Sequence, residues 1–138
     1  MSTQEIKDAV PAMPPQSVPA LRTLAMPADA NPNGDIFGGW LMSQCDIAGG
    51  IYAHRIAGGR VVTVAVNNFQ FIAPVLVADI VSIYVDTMRI GTSSITVKVT
   101  VLIERRDGKK ETTVKVAEAD IVYVHIDENR QPAAITQE

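Results

Sequence analysis

Between Ile36 and Ala53 the chain carries one charged side chain, Asp46, in a run of otherwise apolar or small residues. A buried carboxylate costs free energy unless something offsets it. Two readings stand. Asp46 is either a helix carboxylate hydrogen-bonded at a subunit boundary, or a general base or nucleophile whose pKa burial raises toward a useful range. Gly38 and Gly39 lie upstream, where a helix should begin. Backbone N–H groups there lack partners and the helix dipole is positive, so they can hold a developing oxyanion. A glycine pair also lets a helix end pack closely against a strand. Asp46 falls roughly 12 Å along such a helix. It shares a stripe with Gly39, Met42, Gly49 and Ala53, whose two glycines leave room for a ligand to pass close to the backbone.

Other reactive residue types are weaker candidates. Cys45 as nucleophile with His54 as base fails on geometry, because nine residues of continuous helix place them on opposite sides. Cys45 reads as a small core residue. His54 and His125 are isolated and do not form a zinc-like set, so no metal ligands are expected. Asp35 reads as a cap for the helix or its turn. "RIGTSS" (89–94) offers Arg89, Gly91, Ser93 and Ser94, which could meet a phosphate or simply join two strands. Arg105, Arg106, Lys109 and Lys110 read as a solvated hairpin tip.

These groups must be positioned by the elements around them. Four of the eight prolines fall in residues 1–19, read as a flexible arm. "LRTLAM" (21–26) is a short strand, and "PADANPNGD" is a loop punctuated by proline, asparagine and glycine. A helix is expected from about Phe37 to Gly58-Gly59. Leu41, Cys45, Ala48 and Tyr52 form one apolar stripe, and Trp40, Ile47 and Ile51 another, so the helix reads as buried all round. Strands are expected over 60–72, 75–90, 94–106 and 112–126, with an Asp107-Gly108 hairpin turn and a bulge near Glu118. The tail from Asp127 (127–138) reads as frayed. One helix followed by four long antiparallel strands predicts an α+β fold, a curved sheet wrapped around the helix. Apolar surface left uncovered by one helix predicts dimerisation.

With 138 residues, 47% of them hydrophobic, the chain suits one domain with a real core and excludes general disorder. The net charge of −3 gives no electrostatic case for nucleic acid. The glycines, Gln44 and Asp46 argue against a membrane span at 36–53. One cysteine and no signal-peptide pattern predict a soluble, cytoplasmic protein.

The spacing of Asn31, Gly34, Gly38, Gly39 and Trp40, then Asp46, "RVVTVAV" and Phe71-Ile72 before Pro74, resembles the bacterial YciA-type acyl-CoA thioesterases of the hotdog-fold superfamily. The resemblance spans residues 20–126. It implies a hotdog fold in which an antiparallel sheet wraps one long helix. It also implies dimers that join their sheets, often a hexamer built as a trimer of dimers, with acyl-CoA at the dimer interface. Asp46 matches the family's acidic catalytic residue. Asn31 matches its loop asparagine, acting across the interface, and Gly39 its helix-start amide. Gly38, Asn68, Arg89, Gly91, Ser93 and Ser94 are the expected substrate and CoA contacts. No separate cofactor is implied, since CoA is part of substrate and product. The chain departs from the family pattern at Asn67-Asn68, where relatives often carry an acid or serine, and at Ala73, where they often carry lysine.

Hydrolysis of acyl-CoA thioesters is therefore the leading expectation. A hotdog hydratase needs a histidine beside the acid, and His54 lies too far along the helix. A non-catalytic acyl-CoA-binding hotdog protein is the alternative, and free-thiol release from acyl-CoA separates the two.

Overall fold

The computed structural model describes residues 18–136. Its elements are β1 (Leu21–Leu24), a short 3-10 turn (Pro27–Asp29), the helix α1 (Gly38–Ala57), β2 (Val61–Phe71), β3 (Ile80–Ile90), β4 (Ser94–Asp107) and β5 (Lys110–His125). The strands form one antiparallel sheet in the order β1-β3-β4-β5-β2. Alternation explains β4: Ile95, Val97, Val99, Val101 and Ile103 all point inward and are fully buried. Helix α1 touches all five strands. A sheet can meet one helix along its whole width only by curving around it, and that is the expected α+β arrangement.

The helix ends where glycine allows it. Gly58 adopts a left-handed φ of 71°, and its N–H donates to the His54 carbonyl at 2.9 Å. At the other end the cap position is Phe37, which makes no side-chain cap hydrogen bond. Asp35 is therefore not the cap; its backbone instead pairs with Asn31 and bridges to Leu76.

Several expectations are corrected by packing. The helix is not buried all round. Leu41, Cys45, Ala48, Gly49 and Ala53 face the core, whereas Met42, Ile47 and Ile51 are exposed in the single chain. The strand expected from residue 75 begins at Ile80, because Asp79 is pulled inward. Its carboxylate accepts from Arg105 Nε at 2.9 Å and Nη2 at 2.7 Å, and from the Leu76 N–H at 2.8 Å. Arg105 is thus a structural clamp, not part of a solvated hairpin tip. The bulge expected near Glu118 is present, at Val116: Val101 pairs with Ala117 and Leu102 with Lys115. The C-terminal segment is folded back instead of frayed, with Ala133 N–H donating to His125 O, Ile135 N–H donating to Thr92 O, and Ile135 buried. Residues 1–17 of the expected N-terminal arm lie outside the described residues.

Strand β2 is an edge. Among the described residues it pairs only with β5, and its exposed residues include Val64, Val66 and Phe71. An eleven-residue edge strand that exposes these apolar residues beside the exposed helix face is a ready template for another chain.

Candidate active site

Two strands aim hydroxyl groups at Asp46. Thr63 on β2 and Tyr123 on β5 sit directly opposite one another in the ladder. Thr63 Oγ1 donates to Asp46 Oδ1 at 2.6 Å. The Tyr123 hydroxyl lies 2.7 Å from the Asp46 carbonyl oxygen and 3.1 Å from the same Oδ1. Among the described residues Oδ2 has no hydrogen-bond partner. One carboxylate oxygen is held and the other is left open, the arrangement a general base or nucleophile requires.

Gly49 makes this approach possible. A Cβ built there would come within 3.0 Å of Tyr123 Cε2 and Cζ. The space that glycine leaves on this face is filled by the tyrosine ring, so the expectation that Gly49 makes room for a ligand is corrected. Gly39 is different: nothing lies within 4 Å of where its Cβ would be. Gly38 lies against the Phe71 ring, with Cζ at 3.1 Å from a built Cβ. Among the described residues neither glycine N–H has a hydrogen-bond acceptor, and the helix N-terminus carries no side-chain cap. An uncapped helix start with free amides is a site for developing negative charge. Beside it an apolar recess is lined by Ile36, Leu41, Phe71, Ala73 and Val75.

Asn31 shapes the loop that leads into the helix. Its Oδ1 accepts from the backbone N–H groups of Asn33 at 2.9 Å and Asp35 at 3.1 Å, while Nδ2 has no acceptor among the described residues. Within one chain Asp46 and Gly39 are not brought together: seven helical residues separate them by about 10 Å along the axis. One thioester carbonyl cannot touch both.

The other expected contacts lie elsewhere. Asn68 sits at a β2 irregularity with φ 53°, and its Nδ2 donates to Asp120 Oδ2 at 3.3 Å. The Arg89–Ser94 turn lies at the end of the sheet where β5 finishes. Gly91 N–H donates to Ser94 O and His125 N–H to Ser93 O, both at 2.8 Å, and Arg89 is exposed. This turn shares no hydrogen bond with Asp46, Gly38 or Gly39 among the described residues.

Burial and then the neighbouring Asp46 push the Cys45 thiol up to about 12, which leaves it protonated and unreactive. Burial first, and then the charge and the hydrogen bond of Asp46, push the Tyr123 phenol above its ordinary range. Sequence reasoning missed Thr63 and Tyr123. The available signal was a hydroxyl interrupting an apolar strand on the side that faces the helix. Among the described residues no helix is long and apolar enough to cross a membrane.

Residues 33–109 match the family model described as the thioesterase superfamily. The chain is 48% identical over 119 residues to the acyl-CoA thioester hydrolase YciA of Salmonella typhimurium, covering 86% of this chain and 90% of that one. Its fold matches a hexameric thioesterase from Yersinia pestis with a TM-score of 0.82 at 46% identity, covering 90% of this chain and 99% of the other. An acyl-CoA hydrolase from Staphylococcus aureus, solved with butyryl coenzyme A and coenzyme A, matches with a TM-score of 0.75 at 28% identity, covering 83% of this chain and 69% of that one. That hydrolase has also been solved with an asparagine, an aspartate and a threonine each replaced by alanine. The three positions are spaced along its chain as Asn31, Asp46 and Thr63 are here. From the matched residues and the helix wrapped in antiparallel sheet alike, the chain belongs to the thioesterase superfamily and has the hotdog fold.

Proposed function

We propose that this protein hydrolyses acyl-CoA thioesters to a free carboxylic acid and CoA, with Asp46 as the reactive carboxylate. The observation that carries this reading is the asymmetry of Asp46, whose Oδ1 is held by Thr63 and Tyr123 while Oδ2 is open. As a general base, Oδ2 takes a proton from water as its oxygen adds to the thioester carbonyl. The C–S bond then breaks, and the departing sulfur takes up the proton. As a nucleophile, Oδ2 adds to the same carbon and expels CoA, and water cleaves the resulting anhydride. Either course places negative charge on the carbonyl oxygen, which a free helix-start amide such as that of Gly39 can stabilise.

The roughly 10 Å between Gly39 and Asp46 in one chain supports a site shared between two copies. Gly39 and Asn31 Nδ2 of one copy then face Asp46 of the other. Pairing of the β2 edges would cover the exposed apolar residues of β2 and α1, and the hexameric relative supports a trimer of such dimers. The spacing shared with the Staphylococcus aureus hydrolase supports the roles of Asn31, Asp46 and Thr63. The recess beside Gly38 suits the hydrocarbon part of the substrate. Arg89, with the small residues Gly91, Ser93 and Ser94, is the proposed contact for CoA phosphates, and Asn68 borders the acyl or CoA path. The protein works in the cytoplasm, where CoA esters and a free buried thiol both fit a reducing environment.

The test is free-thiol release from acyl-CoAs of graded chain length, run on the parent protein and Asp46→Asn. Turnover by the parent and loss in the variant with CoA binding kept is expected. CoA binding without thiol release by the parent would identify a binding protein instead.

A further inference from the structure

Tyr123 places a second hydroxyl on the carboxylate oxygen that Thr63 already holds. We infer that Tyr123 is a positioning residue for Asp46, fixing the carboxylate so that Oδ2 faces the thioester; this rests on Asp46 being the reactive carboxylate.

The geometry supports more than a buried hydroxyl finding a partner. The Tyr123 ring is almost fully buried, and its oxygen needs only one acceptor, which the Asp46 carbonyl supplies at 2.7 Å. It nevertheless lies 3.1 Å from Asp46 Oδ1 as well. Its one proton is shared between these two acceptors, so the phenol bridges the backbone and side chain of one residue and limits rotation of the carboxyl group about its own stem. Thr63 alone would leave Oδ1 on a single short tether from an edge strand. With both donors, the oxygen is gripped from β2 and from the interior strand β5 at directly opposed ladder positions. The arrangement depends on Gly49, since any side chain there would meet the tyrosine ring. Burial keeps the phenol protonated, so it acts as a lasting donor and does not compete with Asp46 for the proton of the attacking water.

Tyr123→Phe keeps the ring and removes only the hydroxyl. Rates are measured per CoA-binding site, counted by calorimetry with CoA, so that any unfolded fraction drops out. The expected result is a kcat about three- to tenfold lower with KM within about twofold of the parent, the scale of losing one long hydrogen bond shared with the backbone carbonyl. Thr63→Val and the double variant complete the set. Because each donor partly covers for the other, the double variant should lose more than the product of the single losses. A Tyr123→Phe enzyme with the parent kcat, and a double variant no worse than Thr63→Val, would overturn the role. Asp46→Asn run alongside separates the two ideas. An inactive Asp46→Asn with a fully active Tyr123→Phe removes only the tyrosine, whereas a fully active Asp46→Asn removes the reading beneath it.

Discussion

Asp46 and Asp79 are both carboxylates taken into the fold, and they are treated in opposite ways. Both Asp79 oxygens are used, by Arg105 and the Leu76 N–H, and the residue is 2% exposed. Its role is to pin the segment between Pro74 and Ile80, and Arg105 reaches the Pro74 carbonyl as well, at 3.2 Å. Asp46 has no cation beside it among the ion pairs of the described residues, and two neutral hydroxyls hold only one of its oxygens. A carboxylate that stabilises is neutralised and saturated. A carboxylate that reacts is oriented and left incomplete.

Exchanging charge for a neutral amide at each position should separate the two roles. Asp46→Asn is expected to lower turnover at least about a hundredfold while leaving the melting temperature close to that of the parent. Thiol release and thermal denaturation on the same preparation check both halves. Asp79→Asn should do the reverse: stability falls by about 1–3 kcal/mol, moderated because Arg105 keeps contact with water, and kcat per folded site is retained. Denaturant unfolding measures the loss. If Asp79→Asn instead abolished turnover without destabilising the fold, the division between the two carboxylates would collapse.

Smaller effects sharpen the same contrast. Cys45 adjoins Asp46 in sequence, yet its thiol is held up to about 12. It should resist a disulfide-exchange reagent at pH 8 in the native protein and react at once in denaturant. Rapid native labelling together with loss of activity would reopen a role for sulfur. Glu118 is a third carboxylate, lowered from its ordinary range chiefly by its hydrogen bond with Lys115. A depressed carboxylate contributes stability above its unfolded pKa and loses it as pH falls through the folded value. Glu118→Gln should therefore cost no more than about 0.5 kcal/mol near neutrality, the difference vanishing in acid. Urea unfolding at the two pH values measures it.

The elements were legible because their signals are local. The alternation of Ile95 to Ile103 and the glycine stop at Gly58 follow from neighbours in sequence. Asp46 was legible because it is alone in its segment. What was hidden depends on partners far along the chain. Residues 75–79 carry a strand-like pattern, but Asp79 meets an arginine twenty-six residues away and the strand starts after it. Gly49 reads as open space until the register of β5 sets Tyr123 beneath it. Thr63 and Tyr123 face the same carboxylate only because β2 and β5 pair there, one residue before the ladder slips between Thr63 and Ala65. The exposed helix face differs from the all-round burial expected for a related reason: among the described residues of one chain, Ile47 and Ile51 are left exposed.

If Asp46 of one copy works with Asn31 of another, variants of the two residues should complement each other between chains. Asn31→Asp suits the test better than alanine, because it keeps the oxygen that accepts from Asn33 and Asp35 while removing the free Nδ2 donor. Asn31→Asp and Asp46→Asn proteins, each separately impaired, are mixed under conditions that exchange subunits, with heteromers verified by a tagged pull-down. A shared site predicts that acyl-CoA hydrolysis returns to up to about half of the parent rate per dimer, since each heterodimer regains one intact site. Verified heteromers with no activity above either variant would contradict it.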